Sequence, residues 1–542
     1  MPVSPRVAAR RLSSHPRRRV LATFAFAALA CQLLGGSSAS AGGLEWPGLG
    51  TRGAGRAGAW RARTDTALAL HLNPANLARL SGTQLELTLH LSTFHACFDR
   101  TGTPTQDADG NPRVPMTPTP NDTVFGTEDE YGDVAYPRVC NDRGLFPLPQ
   151  AGVSFRPHQR VGVGIGLIAP NSGQGVTTFG DADGTMAAPL APTGRLPTST
   201  RYDLIEANLL LAFVTAGIGV ALHPRLRVGA TFGWGFANIR YSTVTAPLAG
   251  ESAVFDILAD LSVHDRFVPR VSGSIAAEPV DGLDIMLGYT WIDVVRATGD
   301  LRLRSFHYAT EETIQALNPR FGSTRTDRTL GASLDAPQAS TLSFATRWAM
   351  RRDGAVGVGG AGRDPMTDEV FDLELDVDVS LGNVVDAFQV GPHGTGDPEN
   401  RLDTGVAGVT IYNAPELELV QNWKTQTSVM LGGDYNVVPG RFALRMGLSY
   451  ENDGIKPGSE RLGFVPWSRM SFGLGATLRV ERMELSLAYQ HIHWFRRNTT
   501  EQEAAIRQAT LTGGNIQNAG SYTASADIVS LSLAYRFHAR VP

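Results

Sequence analysis

The sequence predicts an all-β transmembrane protein, an antiparallel outer-membrane barrel of about fourteen strands with an N-terminal plug, or hatch, inside its lumen. Three observations predict it. The chain opens on an export signal, its later segments alternate apolar with small or polar residues at period two, and short turns alternate with long polar insertions.

The export signal comes first. Arg6, Arg10, Arg11, Arg17, Arg18 and Arg19 precede the apolar run Val20 to Leu34, and Ala39-Ser40-Ala41 supplies the small-residue cleavage site, so residues 1-41 read as a signal peptide. Ala28-Leu29-Ala30-Cys31 also resembles a lipoprotein cleavage box, and Arg18-Arg19 a twin-arginine signal. Against these, the apolar run continues past Cys31, and the rest of the twin-arginine motif is missing. Cleavage removes six arginines and no acid, leaving 42 basic residues against 52 acidic and a net charge of −10.

Residues 42-82 do not read as a strand. They hold Gly48, Gly50, Gly53, Gly55 and Gly58, then Leu68 to Leu77 with Asn73-Pro74-Ala75 in its centre. The G-x-G-x-x-G spacing occurs twice here, but a dinucleotide loop needs a strand before it. Here a cleavage site precedes it. A compact plug whose glycines pack against a lumen wall fits better.

From residue 83 to 542 the chain reads as barrel. Leu85, Leu87, Leu89 and Leu91 alternate with Glu86, Thr88, His90 and Ser92. The same pattern recurs at Phe442 to Tyr450, Met470 to Leu478, Met483 to Tyr489 and Val529 to Phe537. A soluble sandwich would put Lys and Glu on its polar face; here that face is Ser, Gly, Thr and Ala with scattered Arg, and Tyr450, Tyr489 and Tyr535 sit where an interfacial aromatic belt needs them. Strands are expected at 83-93, 150-156, 160-168, 204-222, 225-241, 252-277, 282-304, 339-350, 366-382, 422-438, 441-451, 469-480, 483-495 and 526-537. Long loops are expected at 94-149, 169-203, 305-338, 383-421, 452-468 and 496-525.

Composition excludes other classes. Hydrophobic residues make up 42 % of the chain and the net charge is only −4, which argues against disorder. Evenly mixed Arg and acid gives nucleic acid no electrostatic footing. No G-x-S-x-G, H-E-x-x-H, C-x-x-C or P-loop is present, so neither an enzyme nor a cofactor is expected. His491 and His493 share an outward face without a third metal ligand, and Asp107-x-Asp109-Gly110-Asn111 is short of a full calcium loop.

Gly53 to Gly58, followed by Ala67 through Asn73-Pro74-Ala75-Asn76-Leu77 directly before the first strand, resembles the hatch of the FadL family of outer-membrane transporters for long-chain fatty acids and other hydrophobic compounds. The C-terminal third is similar to that family too, at Asn422-Trp423, Arg445 to Glu451, Pro466-Trp467, Leu485 to Ile492 and Ser530 to Phe537. The resemblance implies a monomeric barrel in the outer membrane of a Gram-negative bacterium. It also implies capture of a hydrophobic small molecule from outside and lateral release into membrane lipid through a gap at a kinked third strand.

On that reading Asn73, Pro74, Ala75, Arg52 and Arg56 belong to the hatch or gate, Asn73-Pro74-Ala75 being either a structural turn or a moving part. Gly162, Gly164 and Gly166 mark the lateral-opening strand, or only make room for the hatch. Arg445 and Arg479, with Arg52 and Arg56, are candidates to bind a ligand carboxylate. Two departures stand out. His538 to Pro542 follow the last aromatic residue, Phe537, and the enlarged first loop carries Cys97 and Cys140, which are expected to pair in the oxidising cell envelope. A general porin or an adhesin displayed on the 94-149 and 383-421 insertions is the alternative function.

Overall fold

The computed structural model describes residues 49–102, 136–142, 144–170, 176–187, 195–245, 253–322, 324–353, 364–392, 401–403, 410–412, 417–506 and 516–537. The expected signal peptide, the Asp107 to Asn111 motif and residues 538–542 lie outside them.

Fourteen antiparallel strands close into a barrel: β1 (Gln84–Arg100), β2 (Leu145–His158), β3 (Val161–Ile168), β4 (Glu206–His223), β5 (Leu226–Thr245), β6 (Ile257–Val280), β7 (Leu283–Ile292), β8 (Ser340–Arg351), β9 (Glu369–Leu381), β10 (Gln426–Val438), β11 (Phe442–Glu451), β12 (Arg469–Val480), β13 (Met483–Thr499) and β14 (Gly520–Arg536). The last strand pairs both with β13 and, residue by residue from Arg536 to Gly520, with β1. Closure satisfies the strand backbones within the sheet along most of the wall. No helix among the described residues is long and apolar enough to cross a membrane.

The period-two pattern sets the faces. Leu87, Leu89, Leu444, Met446, Leu448, Leu531 and Leu533 are exposed on the outer surface, while Thr88, His90, Arg445, Ser530 and Ser532 point into the lumen and are buried. An apolar surface of this extent is stable only against hydrocarbon.

Several strands run farther toward the long loops than the sequence suggests: β1 continues to Arg100, β2 starts at Leu145 and β14 at Gly520. The expected strand 282-304 is divided. β7 ends at Ile292, and a separate strand, Val295–Arg304, pairs with the other end of β6. The cause is a bulge in β6. Asp265 accepts the N–H groups of Phe267 and Arg296, and the N–H of Asp293 is drawn to the carbonyl of Pro269. The expected loop 305-338 also contains the strand Asp327–Ala336, which pairs with Val295–Arg304. Beyond the bulge the outward residues turn polar, with Arg240, Ser262, His264 and Arg302 replacing Phe232, Trp234 and Ile275. Trp234 and Phe267, in edge contact with ring centroids 4.6 Å apart, mark the change. Cys97 and Cys140 are joined by a disulfide at the loop end of β1.

Candidate functional site

The lumen has two floors of opposite chemistry. Near the short turns it is filled by the N-terminal segment, whose helix Gly50–Gly55, helix Ala69–Leu72 and 3-10 helix Pro74–Arg79 are almost wholly buried. The segment touches strands on every side of the barrel. On one side it meets a carboxylate ladder: Asp372, Glu374, Asp376 and Asp378 occupy alternate positions of β9 and so share its lumen face.

Arginines of the segment dock on this ladder. Arg56 donates to Asp372 at 3.0 Å, Glu374 at 3.0 Å and Asp434 at 2.9 Å. Arg63 pairs with Asp372 at 3.2 Å and Asp434 at 3.0 Å, and Arg61 with Asp378 at 2.5 Å. Backbone groups join in, the N–H of Ala62 donating to Glu374 at 2.6 Å and that of Arg61 to Asp376 at 2.9 Å. Arg52 binds Asp65 and Glu484. Together Arg52 and Arg63 hold the Asp65 carboxyl far below the usual carboxylate range against the opposing effect of burial. So many charges are tolerable out of water because Asp372, Glu374, Asp378 and Asp434 each meet an arginine, while Asp376 accepts the backbone N–H of Arg61.

On the opposite side the segment meets bare backbone. Gly162, Gly164 and Gly166 all face inward, and a Cβ on Gly162 would lie 1.9 Å from the carbonyl oxygen of Leu77. A Cβ on Gly229 would lie 2.3 Å from the carbonyl carbon of Pro74. Asn73-Pro74-Ala75 is fastened here. Ser274 donates to the Asn73 side-chain oxygen at 2.9 Å and accepts the Ala75 N–H at 3.0 Å, while the Asn73 side chain donates back to the carbonyl of Arg61 at 3.0 Å.

Above the segment the lumen is apolar. Phe94, Phe98, Phe213, Leu261, Val295, Phe388, Trp423, Ile492 and Trp494 belong to one buried cluster. A signal for this chamber was present in the sequence. In β1 the odd residues Leu85 to Leu91 are apolar and face lipid, whereas farther along the even residues Phe94, Ala96 and Phe98 are apolar and face inward. The same reversal of phase occurs in β13 between Tyr489 and Ile492, and in β14 between Val529 and Ile528. Residues 459–467 roof the chamber. Arg461 donates to Asp203 at 3.0 Å, and the Leu462 N–H donates to the same carboxylate at 2.9 Å, bringing Leu462, Phe464 and Val465 down into the cluster.

A cavity of about 50 Å³ lies in this chamber, lined by Leu210, Leu211, Leu261, Phe388 and Phe464 among others, with Tyr241 and Gln338 its polar contributors. That is below the ~150 Å³ of an apolar cavity that admits benzene. A ligand therefore has to displace side chains or the roof.

The barrel wall is interrupted beside the cavity. β3 pairs with β4 along its whole length, from Val161–Val220 to Ile168–Phe213, so its glycines do not break the sheet. The ladder stops after Ile168. Residues 145–150 of β2 pair only with β1, and residues 209–212 of β4 have no partner on the β3 side among the described residues. Leu148, Ala169 and Ala212 meet across this interval, with Phe146 and Leu210 packed on them. Leu210 thus borders both the cavity and the interruption.

Arg445 and Arg479 are engaged by the chain itself. Arg445 pairs with Asp434 at 3.3 Å and donates to Thr477 at 2.6 Å; Arg479 binds Glu484 at 2.8 Å and Asp364. His491 bonds to Asp527 on the outer face at 2.8 Å, away from the lumen. The carboxylate ladder itself went unread in the sequence, although acids at alternate positions of a strand are a period-two signal like any other.

No protein-family model and no curated protein matches the sequence. Solved structures do match in fold. A FadL homologue from Pseudomonas aeruginosa superposes with a TM-score of 0.65 over 92 % of this chain and 100 % of its own, at 16 % identity. The toluene transporter TbuX of Ralstonia pickettii gives 0.55 over 91 % and 99 % at 13 % identity, and the toluene transporter TodX of P. putida 0.56 over 91 % and 100 % at 12 % identity.

Proposed function

We propose that this chain, which has the fold of the FadL-type barrels, is a member of that family that takes up hydrophobic compounds across the outer membrane. The observation that carries the reading is Leu210, shared between the apolar cavity and the interruption of the wall after β3. A hydrophobic molecule entering past the 459–467 roof gains roughly 25 cal/mol for each Å² of apolar surface it buries in the chamber. Straight descent would carry it into a floor packed with ion pairs, where it would replace matched charges by nothing. The sideways route past Leu148, Ala169 and Leu210 stays apolar and ends in lipid, so lateral release is the favoured exit. Residues 49–82 act as the hatch, and Asn73-Pro74-Ala75 as its fastening against β6.

The chemistry of the cavity wall favours an uncharged ligand, as the toluene carried by the TbuX and TodX relatives is. Arg52, Arg56, Arg445 and Arg479 already have carboxylates and are poor receivers for another. A long-chain fatty acid remains the second reading because its acyl chain would gain from the apolar chamber as a neutral hydrocarbon does.

Equilibrium binding to the refolded barrel tests this, using a labelled long-chain fatty acid competed by small aromatic hydrocarbons. Saturable binding is expected, with the neutral compounds competing and Leu210→Glu weakening it at least tenfold. An absence of saturable binding by any of these compounds would favour a porin or an adhesin.

A further inference from the structure

Two neighbouring hairpin turns at the short-turn end of the barrel have the same local construction. In β2–β3 the turn reads Arg156-Pro157-His158-Gln159-Arg160, and in β4–β5 it reads His223-Pro224-Arg225. In each, the histidine Nδ1 accepts the backbone N–H of the arginine two residues on, at 3.2 Å in both cases. That bond fixes the proton of a neutral ring on Nε2 and turns this donor away from the turn. The hairpins are adjacent in the sheet, since β3 pairs with β4 and the N–H of Ala221 donates to the carbonyl of Arg160 at 2.8 Å.

The resulting patch is cationic and contains no acid. Arg156, Arg160 and Arg225 have no ion-pair partner among the described residues, and the bonds recorded for their guanidinium groups run to backbone carbonyls, Arg156 to Gln159 and Arg225 to Pro279 at 2.7 Å. Elsewhere at this end several arginines are matched, Arg351 by Asp281, Arg479 by Asp364 and Glu484, and Arg536 by Glu484, and Arg441, which has no ion-pair partner among the described residues, stands alone in its turn and not in a cluster of three. The patch also sits at a defined depth. Phe155, Leu222, Leu226 and Val280, each within one residue of a turn or on the next strand, are exposed in the lipid-facing belt. Arginine and imidazole N–H groups one residue beyond an apolar belt stand at the level of lipid headgroups, and short turns face the periplasm.

We propose that this double turn is a docking site for anionic phospholipid headgroups of the inner leaflet, Arg156, Arg160 and Arg225 contacting the phosphates with the His158 and His223 Nε2–H groups as further donors. Guanidinium groups bind phosphate by paired N–H donors. Each arginine held at an anionic lipid surface strengthens attraction by about fivefold. The lipid is favoured over a soluble anion because the patch is continuous with the apolar belt, so acyl chains and headgroup are satisfied together.

The test is lipid retention by the mature barrel in phosphatidylcholine nanodiscs doped with phosphatidylglycerol, read by native mass spectrometry after release. Wild type is expected to retain phosphatidylglycerol over phosphatidylcholine. The R156Q/R160Q/R225Q variant should lose that preference by about tenfold or more, while R441Q/R482Q, altered at the other turns, keeps it. Excess inorganic phosphate should not displace the lipid. Should the triple variant fail to fold, R156K/R160K/R225K and a salt titration of wild type still decide, since the preference must survive the first and fade in the second. Equal retention of the two lipids, retention unchanged in R156Q/R160Q/R225Q, or displacement by free phosphate would each overturn the proposal. Binding of hydrophobic ligand in the chamber is independent of it and should be unchanged.

Discussion

The N-terminal segment is held by two walls that work differently. Toward β9 and β10 the contact is mainly charge on charge, with Arg56, Arg61 and Arg63 set against Asp372, Glu374, Asp378 and Asp434, although Gly447 and Gly473 on the next two strands also lie against the backbone of Arg56 and Ala54. Toward β3, β4 and β5 it is backbone on backbone, with Pro74 and Leu77 lying against Gly162 and Gly229. The first wall depends on groups that are present, and each missing partner would leave a buried charge. The second depends on groups that are absent, and any added atom would collide.

The largest expected effect comes from filling the glycine wall. Gly162→Val or Gly229→Val places side-chain atoms inside the backbone of residues 74–77, a collision that flexible side chains cannot relieve. The segment should leave its seat while the barrel, whose strands do not need it for their ladders, still closes. Limited proteolysis checks this: cleavage within 52–79 should become rapid and single-channel conductance should rise. A variant that stays protected and closed would show that the wall, not the segment, gives way.

Next in size is removal of Arg56. Arg56→Ala leaves Asp372, Glu374 and Asp434 short of a cation, and breaking a buried charge set from one side costs about 3–5 kcal/mol. The thermal transition of the segment should fall markedly. Restoring neutrality with Glu374→Asn in the same chain should recover part of the loss, which a purely steric role for Arg56 would not allow.

The two walls were not equally legible in the sequence. Glycines at 162, 164 and 166 stand out because they alternate with Val, Val and Ile in a strand, and their two readings could be named, though not decided, without the segment's position. The carboxylates at 372 to 378 lie in a strand just as regular, but what they do depends on arginines some three hundred residues away, a pairing no local pattern contains. Strand interiors were read well because lipid enforces an apolar outer face. Strand ends toward the loops were missed because there the apolar residues change sides, as Leu91 gives way to Phe94, and a reading that follows one phase stops at the reversal. The roof at 459–467 shows no periodicity, and the groups that hold it, Asp203 on Arg461 and Leu462, Arg497 on Glu460 and the Trp494 indole on the Val465 carbonyl, come from distant parts of the sequence.

The smallest expected effect concerns the rim beneath the charged wall. Asp364, in the loop before β9, accepts from Arg479 at 3.0 Å, caps the helix Pro365–Asp368, and is held down to about 2 from an ordinary 3.8, bonding by Arg479 and the charge of Arg536 outweighing burial. A carboxyl whose folded value is depressed stabilises fully above its unfolded value and ceases to do so as pH falls through the folded one. Its contribution, about 2.5 kcal/mol from a shift of nearly two units, should therefore be complete near pH 5, mostly lost by about pH 2 and gone near pH 1. Asp364→Asn keeps the helix cap but not the charge. The gap in unfolding midpoint between wild type and this variant should close across that interval, while a gap that stayed constant with pH would assign the role of Asp364 to capping alone and leave the ionic wall to end at Glu484.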